Sequence, residues 1–410
     1  LMTVGTGVTD GGALIVAPSD DSRLTLEMAA LTGEAEAEDI VFDIASDALR
    51  IALAGDGSFD VSAASFAAAQ AEAGDFIRGG LLEIDDLSAS GAAGPDGALT
   101  AFEVTAPRIR NAYRITEDGV QEISSDQTYS GLNVSYATDT PFTGDVEAFL
   151  AEAVERGRVE LTIAASGTTG ASGVTGGPSA PPMDFTGVSG ALEGVFSIID
   201  GRIRYAVKAD ATDVTMAFGA PSPFPGGKVT FGDMAFDLTA PMRKADGPQP
   251  YKMTMNVAGV EMDEAIWAAF DAGGAIPRGP IALNIDIGGA ARVLFGIGEN
   301  TFGQTPLDVE TLEIRDVSLE GMGVAAAATG ALEIAGDASQ PEGDVRLDVW
   351  GAFALLDAAT AAGLLPPGQG DLYKQLALSF AQVGDDGPDH LVADISTKDG
   401  GVSVNGTPLQ

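Results

Sequence analysis

Apolar and polar side chains alternate over several stretches of this chain, and the alternation restricts the fold more than any other pattern in it. From Tyr251 to Val257 the odd-numbered residues are apolar and the even-numbered residues are polar. Apolar residues return to odd positions from Ile281 to Ile287. Successive side chains of a β-strand point to opposite faces of a sheet. Both stretches are therefore predicted to be strands with one buried and one solvated face.

A short amphipathic helix is predicted between these two strands. Four apolar residues are spaced so as to share one helical face: Met262, Ile266, Trp267 and Phe270. The glycines and prolines of residues 273–280 end this helix, because glycine accepts a left-handed cap and proline cannot continue the hydrogen-bond ladder. A similar succession of strand, helix and strand lies between Asp344 and Ser396 and indicates an internal repeat.

Two further local features are predicted in the second half of the chain. The apolar residues change between odd and even positions at Gly232-Asp233 and again near Asp316. Each such slip of one residue predicts a bulge or a tight turn. Asp371 is predicted to cap another helix, with Leu372, Leu376 and Phe380 on one face.

Most of the predicted strands have one apolar and one polar face, which favours an antiparallel sheet over a buried parallel one. Strands in such numbers curl into a barrel, split into a sandwich or bend into an open trough. The predicted fold is therefore mainly β: a large curved antiparallel sheet (open trough, half-barrel or sandwich) with several short helices.

A run rich in Gly, Ser, Thr and Pro from Ser166 to Pro182 is predicted to be a flexible linker or a long surface loop. It marks the one plausible domain boundary. Residues 1–165 would form an N-terminal β-rich half with one helix, and residues 183–410 a C-terminal β-rich half with the strand–helix–strand passages. Alternatively, the two halves form one continuous domain.

The charge balance excludes some partners. The chain has 60 acidic and 21 basic residues, a net charge of −39, which repels the phosphates of nucleic acids and anionic lipid headgroups. Asp56-Gly57-Ser58-Phe59-Asp60 and Asp85-Asp86 suggest calcium, but no complete calcium-binding loop is present, so metal binding stays open. The chain has no cysteine, which excludes disulfides and thiol chemistry.

The sequence carries no pattern of a membrane-spanning helix, since no apolar run approaches eighteen residues. It opens on Leu1-Met2-Thr3-Val4, without the charged and apolar regions of a signal peptide. Any export signal was either removed or never there.

The search for catalytic motifs favours a protein that is not an enzyme and needs no cofactor. His390 is the one histidine in the chain, and it is interpreted as an exposed residue that begins a strand. Neither a nucleophile elbow nor a phosphate-binding loop is complete. Two carboxylates on one concave face could hydrolyse a glycoside, but aromatic platforms for sugars are scarce, with 2 Trp and 6 Tyr in the chain.

Apolar side chains are the remaining candidates for a binding site. The candidate ligand-binding residues are Met253, Met255, Val257, Trp267, Phe270 and Trp350. Methionine suits an adaptable apolar contact. Trp350 is even-numbered, whereas Leu347 and Val349 are odd-numbered. It is therefore predicted to point to the opposite face of its strand. These side chains form either an ordinary core or one wall of an apolar cavity or groove.

The C-terminal third resembles a known family. The resemblance rests on Gly363-Leu364-Leu365-Pro366, on the helix after Asp371 and on the ending from Gly401 to Leu409, and the helix of Trp267 fits the same pattern. Together these features resemble the alphaproteobacterial family catalogued as domain of unknown function 2125, from Ile203 to the end and more loosely before it. The resemblance implies an exported envelope protein whose signal is cleaved, and it implies no catalytic residues.

A more distant similarity is to the AsmA-like envelope proteins, which are thought to carry lipids in a bent β-sheet trough. The predicted function is non-enzymatic: a soluble periplasmic protein that holds an apolar ligand, most simply a lipid, in a curved sheet. The alternative is a structural or protein-interaction component of the cell envelope with a fully packed core, and envelope proteins would then be its partners. The third hypothesis is a carboxylate-dependent hydrolase.

Overall fold

The computed structural model describes the chain except residues 1–2, 6–14, 19–22, 38–39, 71–76, 95–97, 118–120, 141–145, 176–180, 221, 223, 225, 297–306, 335–340 and 410. In the described parts of the chain, no helix is both long and apolar enough to cross a membrane.

Strands dominate the described elements. They are β1 (Thr3–Gly5), β2 (Ile15–Pro18), β3 (Arg23–Ala37), β4 (Ile40–Ala54), β5 (Ser58–Gln70), β6 (Ile77–Ala93), β7 (Leu99–Glu117), β8 (Gln121–Thr138), β9 (Arg158–Ala165), β10 (Gly167–Val174), β11 (Met183–Ser189), β12 (Leu192–Ile199), β13 (Arg202–Ala209), β14 (Thr212–Phe218), β15 (Gly226–Phe231), β16 (Met234–Pro241), β17 (Gln249–Met262), β18 (Ile281–Val293), β19 (Leu307–Gly321), β20 (Val324–Glu333), β21 (Glu342–Trp350), β22 (Gln382–Val383), β23 (His390–Lys398), β24 (Gly401–Val404) and β25 (Thr407–Leu409). The helices are α1 (Val146–Arg156), α2 (Glu264–Phe270), α3 (Ala352–Ala361) and α4 (Gln369–Phe380).

The chain divides into two compact units. Unit 1 consists of Leu1–Ala153, Gly157–Ser197 and Thr212–Gly226, and unit 2 consists of Val154–Arg156, Ile198–Ala211 and Gly227–Gln410. In unit 1, strands β3 to β8 pair in sequence order, and β8, β10, β11 and β14 continue the sheet. Every one of these pairings is antiparallel.

One long strand in unit 1 is interrupted at Ser166. β9 pairs with the second part of β8 and β10 pairs with its first part. Between them, the backbone N–H and the hydroxyl of Ser166 both donate to the carbonyl of Ser130, at 2.8 and 2.9 Å. Gly131 lies opposite with a φ of 55°, and a Cβ there would lie 2.7 Å from the Ser166 hydroxyl. Glycine at this position therefore permits the kink.

The prediction of a flexible linker or surface loop for residues 166–182 is wrong for the first half of this range. Residues 167–174 are strand β10, and residues 176–180 lie outside the described part of the chain. β10 is rich in Gly, Ser and Thr, which suggests a loop by composition. Its backbone, however, pairs with β8 on one side and with β11 on the other. Pairing on both sides satisfies the backbone polar groups, so the small side chains do not prevent a strand.

The sheet of unit 2 runs through β13, β16, β17, β18, β19, β20, β21, β23, β24 and β25, and all neighbours are antiparallel. α2 connects β17 to its partner β18, and α3 and α4 lie between β21 and its partner β23. Both stretches thus have the predicted strand, helix and strand order, although the second contains two helices. The predicted mainly β fold, with a large antiparallel sheet and several short helices, is confirmed.

The end of β21 leads into α3 and α4, and the start of α4 differs from the sequence prediction. Asp371 was predicted to cap α4, but the helix begins one turn earlier, at Gln369, and its N-cap is Gly368. Asp371 instead lies in the first turn, where a negative charge interacts favourably with the helix dipole. Gly368 has a φ of 83°, a conformation that only glycine adopts without strain.

Candidate apolar ligand surface

Three rows of mostly apolar side chains cross the sheet of unit 2. Residues paired directly in an antiparallel sheet point to the same face, so the pairing register identifies each row. The middle row contains one residue from each of the strands β13, β16, β17, β18, β19, β20, β21 and β23: Val207, Phe236, Met255, Ile285, Val317, Ala328, Leu347 and Ala393.

The two flanking rows follow the same strands. One is Tyr205, Leu238, Met253, Ile287, Ile314, Gly330, Val345 and Ile395, and the other is Ala209, Met234, Val257, Leu283, Leu319, Ala326, Val349 and Leu391. We call the three rows together the apolar face. They contain no acidic or basic side chain, so this face offers an apolar surface of considerable length.

A bulge in β19 keeps the apolar face continuous. The register of β18 and β19 shifts between Asp286 and Ile287, and that of β19 and β20 shifts between Ile314 and Val317. Without the shift, Ile314 and Val317 would point to opposite faces because one is even-numbered and the other odd-numbered. The slip near Asp316 predicted from the sequence is therefore a real bulge, and the second slip, at Gly232-Asp233, is the turn between β15 and β16.

The apolar face is only partly covered. Met253, Met255 and Val257, three of the predicted ligand-binding residues, are half-buried on it. Tyr205 and Leu319 are exposed, whereas Leu391 in β23 is buried. Partial burial leaves accessible apolar area on the strands β16 to β19. An apolar molecule that lies there would remove this area from water.

The opposite face of the same sheet is charged. Cross-strand ion pairs join Arg204 to Asp237 at 2.7 Å and Arg315 to Asp286 at 3.1 Å, and Lys252 lies 3.6 Å from Asp286. These side chains are partly exposed, so each pair contributes little to stability. Their arrangement shows that this side of the sheet is solvated, which leaves the apolar face as the side suited to an apolar ligand.

Trp267 and Phe270 lie together on α2. Their ring centroids are 5.0 Å apart, and the Arg278 guanidinium lies 5.7 Å from the Trp267 ring. Trp267 is buried, and the N-cap Asp263 accepts a hydrogen bond from the N–H of Ile266. Hydrogen bonds from the N–H groups of Ile266 and Lys228 hold the pKa of Asp263 below its usual value. The ring contacts of Trp267 thus belong to α2 and the loop after it.

Trp350 lies on the charged face, as its parity predicted. Its ring stacks on the His390 imidazole with centroids 4.6 Å apart, and its indole N–H donates to Asp386 at 3.2 Å. The structure therefore brings Met253, Met255 and Val257 together on the apolar face, Trp267 and Phe270 together on α2, and places Trp350 on the other side of the sheet.

The prediction that His390 is exposed is wrong. His390 does begin β23, but it is only 7 % exposed, and its Nε2 lies 3.0 Å from Asp348 Oδ1. The stacked ring of Trp350 covers it, and a Cβ at Gly384 would lie 2.3 Å from its Nδ1. The acidic turn next to His390 suggested a solvated position, but Asp348 and Trp350, which cover the ring, come from β21 in a distant part of the sequence.

Protonation of Asp348 is expected to destabilise unit 2. The Arg346 guanidinium, and secondly His390, donate hydrogen bonds that hold the pKa of Asp348 below its usual value of 3.8. A lowered pKa in the folded state stabilises the fold above the unfolded value, and this stabilisation is lost as the pH falls below 3.8. We therefore expect Asp348→Asn to destabilise unit 2 at neutral pH and to flatten the fall of Tm below about pH 4.

Tryptophan fluorescence measures this effect in unit 2, because both tryptophans of the chain lie there. Asp394→Asn is the matched control, since Asp394 is a second carboxylate near Arg346, at 3.7 Å, but is well exposed. An Asp348→Asn protein with the wild-type pH profile, or a control with an equally flattened profile, would contradict the assignment.

Two further observations limit the chemistry of the described residues. Within the described ranges, no group of three or more His, Asp or Glu side chains is arranged to hold a metal ion.

Asp271, which the sequence analysis missed, is a buried carboxylate at the end of α2 that accepts hydrogen bonds from the N–H groups of Ala275 and Ile276. The one signal for it was an aspartate placed two residues before the glycines that end a helix.

Comparison with known proteins identifies the C-terminal part of the chain. A family model described as "Uncharacterized protein conserved in bacteria (DUF2125)" matches residues 199–410, slightly more than half of the chain. This range contains all three rows of the apolar face. No curated protein and no solved structure matches the chain. The resemblance noted from the residues is thereby confirmed: the chain belongs to the bacterial family DUF2125.

Proposed function

We propose that this protein binds an apolar ligand, most simply a lipid, on the apolar face of unit 2. The observation that carries the proposal is the register of the sheet, which aligns three rows of mostly apolar side chains across eight strands and leaves Met253, Met255 and their neighbours half-buried. A sheet needs apolar side chains only where something covers them. A lipid would provide this cover.

The face is long enough for a whole acyl chain to lie along it. Neighbouring strands are about 4.8 Å apart, so the seven intervals between the eight strands span roughly 34 Å. The hydrocarbon core of a bilayer, which holds two layers of acyl chains, is about 30 Å thick. Each methylene group that is buried contributes about 0.8 kcal/mol. Affinity would therefore come from apolar area along the rows rather than from polar anchors.

The chemistry of the face supports binding rather than catalysis. Tyr205 carries the one hydroxyl group in the three rows, and it supplies neither a carboxylate nor an imidazole. His390 is enclosed by Trp350 and Asp348 on the charged side of the sheet. An enzyme needs an acid, a base or a nucleophile within reach of its substrate. We therefore propose a non-enzymatic role.

We further propose that the protein works in the bacterial periplasm. The matching family is described as bacterial, and the resemblance in the C-terminal residues implies an exported envelope protein. An absence of cysteine is compatible with an oxidising compartment, because no thiol can form a wrong disulfide there. A lipid in transit through the aqueous periplasm would need an apolar surface of this kind.

Native mass spectrometry of the freshly purified full chain tests the binding function. We expect adducts with the masses of acyl lipids, and the same lipids in an organic extract of the protein. A chain that carries no adduct, even after incubation with fatty acid or phospholipid, would refute the proposal. That result would favour the alternative role as a structural or interaction component of the envelope.

A further inference from the structure

α4 has one side that packs on α3. Gly370 is buried, and a Cβ there would lie 2.7 Å from the Thr360 hydroxyl. One turn further on, the Lys374 ammonium donates to Asp357 at 2.5 Å and lies 6.0 Å from the ring of Phe353. Gly370, Lys374 and the less exposed Ala377 are spaced i, i+4 and i+7, so they define the side of α4 that faces α3.

An adjacent side of α4 exposes large apolar residues. Leu372, Leu376 and Phe380 are spaced i, i+4 and i+8, and Tyr373 lies beside them, so the four share a sector of about 100°. They are between 43 % and 59 % exposed. We call them the α4 stripe. The stripe lies on a helix whose other side is already occupied by α3, so it is a second apolar surface, separate from the rows of the sheet.

The segment that contains α3 and α4 itself carries little charge for this chain. Residues 352–380 contain three charged side chains, Asp357, Asp371 and Lys374, whereas the whole chain has a net charge of −39. Lys374 is neutralised by Asp357. A surface with neither free cations nor many anions does not attract anionic lipids, but it does not repel a lipid surface without net charge.

The size of the α4 stripe argues against a stable interface with a second copy of the chain. Large side chains present about 150–250 Å² each, so four that are about half exposed offer roughly 400 Å². A stable protein interface buries about 800 Å² on each partner. A lipid surface requires no such minimum, because each apolar side chain enters the headgroup region independently and binding is reversible.

We propose that the α4 stripe docks the protein on the surface of a zwitterionic lipid bilayer. The inference builds on the proposed function, because a protein that carries a lipid must contact the membrane from which it takes or to which it delivers its cargo. The stripe would supply this contact, and the apolar face of the sheet would hold the cargo.

Flotation with vesicles of phosphatidylcholine alone tests the docking. We expect the full chain to float with these vesicles and the variant Leu372→Gln/Leu376→Gln/Phe380→Gln to bind more than about tenfold more weakly, because apolar area drives interfacial binding. The control variant Leu24→Gln/Leu53→Gln/Val188→Gln replaces three similarly exposed apolar side chains in unit 1 and should float like the wild type. Circular dichroism establishes that both variants are folded.

Three results would overturn the docking proposal. These are no flotation of the wild type, equal flotation of the wild type and the stripe variant, or flotation that appears only when phosphatidylglycerol is added. Dimerisation in sedimentation experiments that the stripe variant abolishes, without vesicle binding, would assign the stripe to a second copy instead. Native mass spectrometry of the same samples keeps the two proposals apart: a wild type that carries lipid yet does not float refutes docking alone.

Discussion

Replacement of Met253 and Met255 by glutamine is expected to lower the affinity for an acyl lipid by at least about thirtyfold, since two amides cost about 2 kcal/mol or more together. Glutamine has nearly the length of methionine, so the shape of the apolar face is kept. Each new amide would lie under the ligand without a hydrogen-bond partner, at a cost of roughly 1–3 kcal/mol, and about 1.4 kcal/mol corresponds to a factor of ten. Native mass spectrometry with a titrated fatty acid measures the change.

The control for this pair lies on the same strand. Thr254 and Asn256 point to the charged face of β17, opposite Asp237 and Ala235 of β16. Thr254→Gln/Asn256→Gln therefore adds the same side chains two residues apart, but away from the proposed ligand. Equal lipid binding by Met253→Gln/Met255→Gln and by the control would show that the ligand, if any, lies elsewhere. The Tm of both variants should stay close to that of the wild type, because the replaced side chains are half-buried at most.

Alternation in the sequence predicted which segments of unit 2 are strands and which side chains of a strand share a face. Both properties depend only on residues that are close in sequence. Met253, Met255 and Val257 share a face by spacing alone, and Trp350 points away from Val349 for the same reason. The bulge near Asp316 was also predictable. When a regular pattern of alternation shifts by one residue, the strand must form a bulge if its apolar side chains are to stay on one face of the sheet.

The extent of the apolar face could not be predicted from spacing, because it depends on register between distant segments. Phe236 lies beside Met255, and Met255 beside Ile285, only once β16, β17 and β18 have paired. The burial of His390 has the same origin, since its partner Asp348 is 42 residues away in sequence. β10 was mistaken for a linker because its pairing with β8 and β11 leaves no trace in its own composition.

Asp271 shows how the loop at the end of α2 is held by local contacts. Its side chain is 1 % exposed, and its two carboxylate oxygens accept from the N–H groups of Ala275 and Ile276, both at 2.9 Å. Its backbone carbonyl accepts from the Arg278 guanidinium at 3.2 Å and from the N–H of Gly274 at 3.0 Å. One residue thus organises the loop that joins α2 to β18.

Asp271→Ala is expected to destabilise unit 2 by about 2–4 kcal/mol, because it leaves two N–H groups without acceptors and one of them is buried. Asp271→Asn should destabilise it less, since the amide oxygen can still accept one hydrogen bond while its NH₂ group opposes the second donor. Asp233→Ala removes an exposed carboxylate from a turn and controls for the lost charge. Urea unfolding followed by the fluorescence of Trp267 and Trp350 measures all three. If Asp271→Ala unfolds at the same urea concentration as Asp233→Ala, the buried carboxylate does not hold the loop, and the connection between β17 and β18 must be stabilised by packing of Ile276 and Trp267 alone.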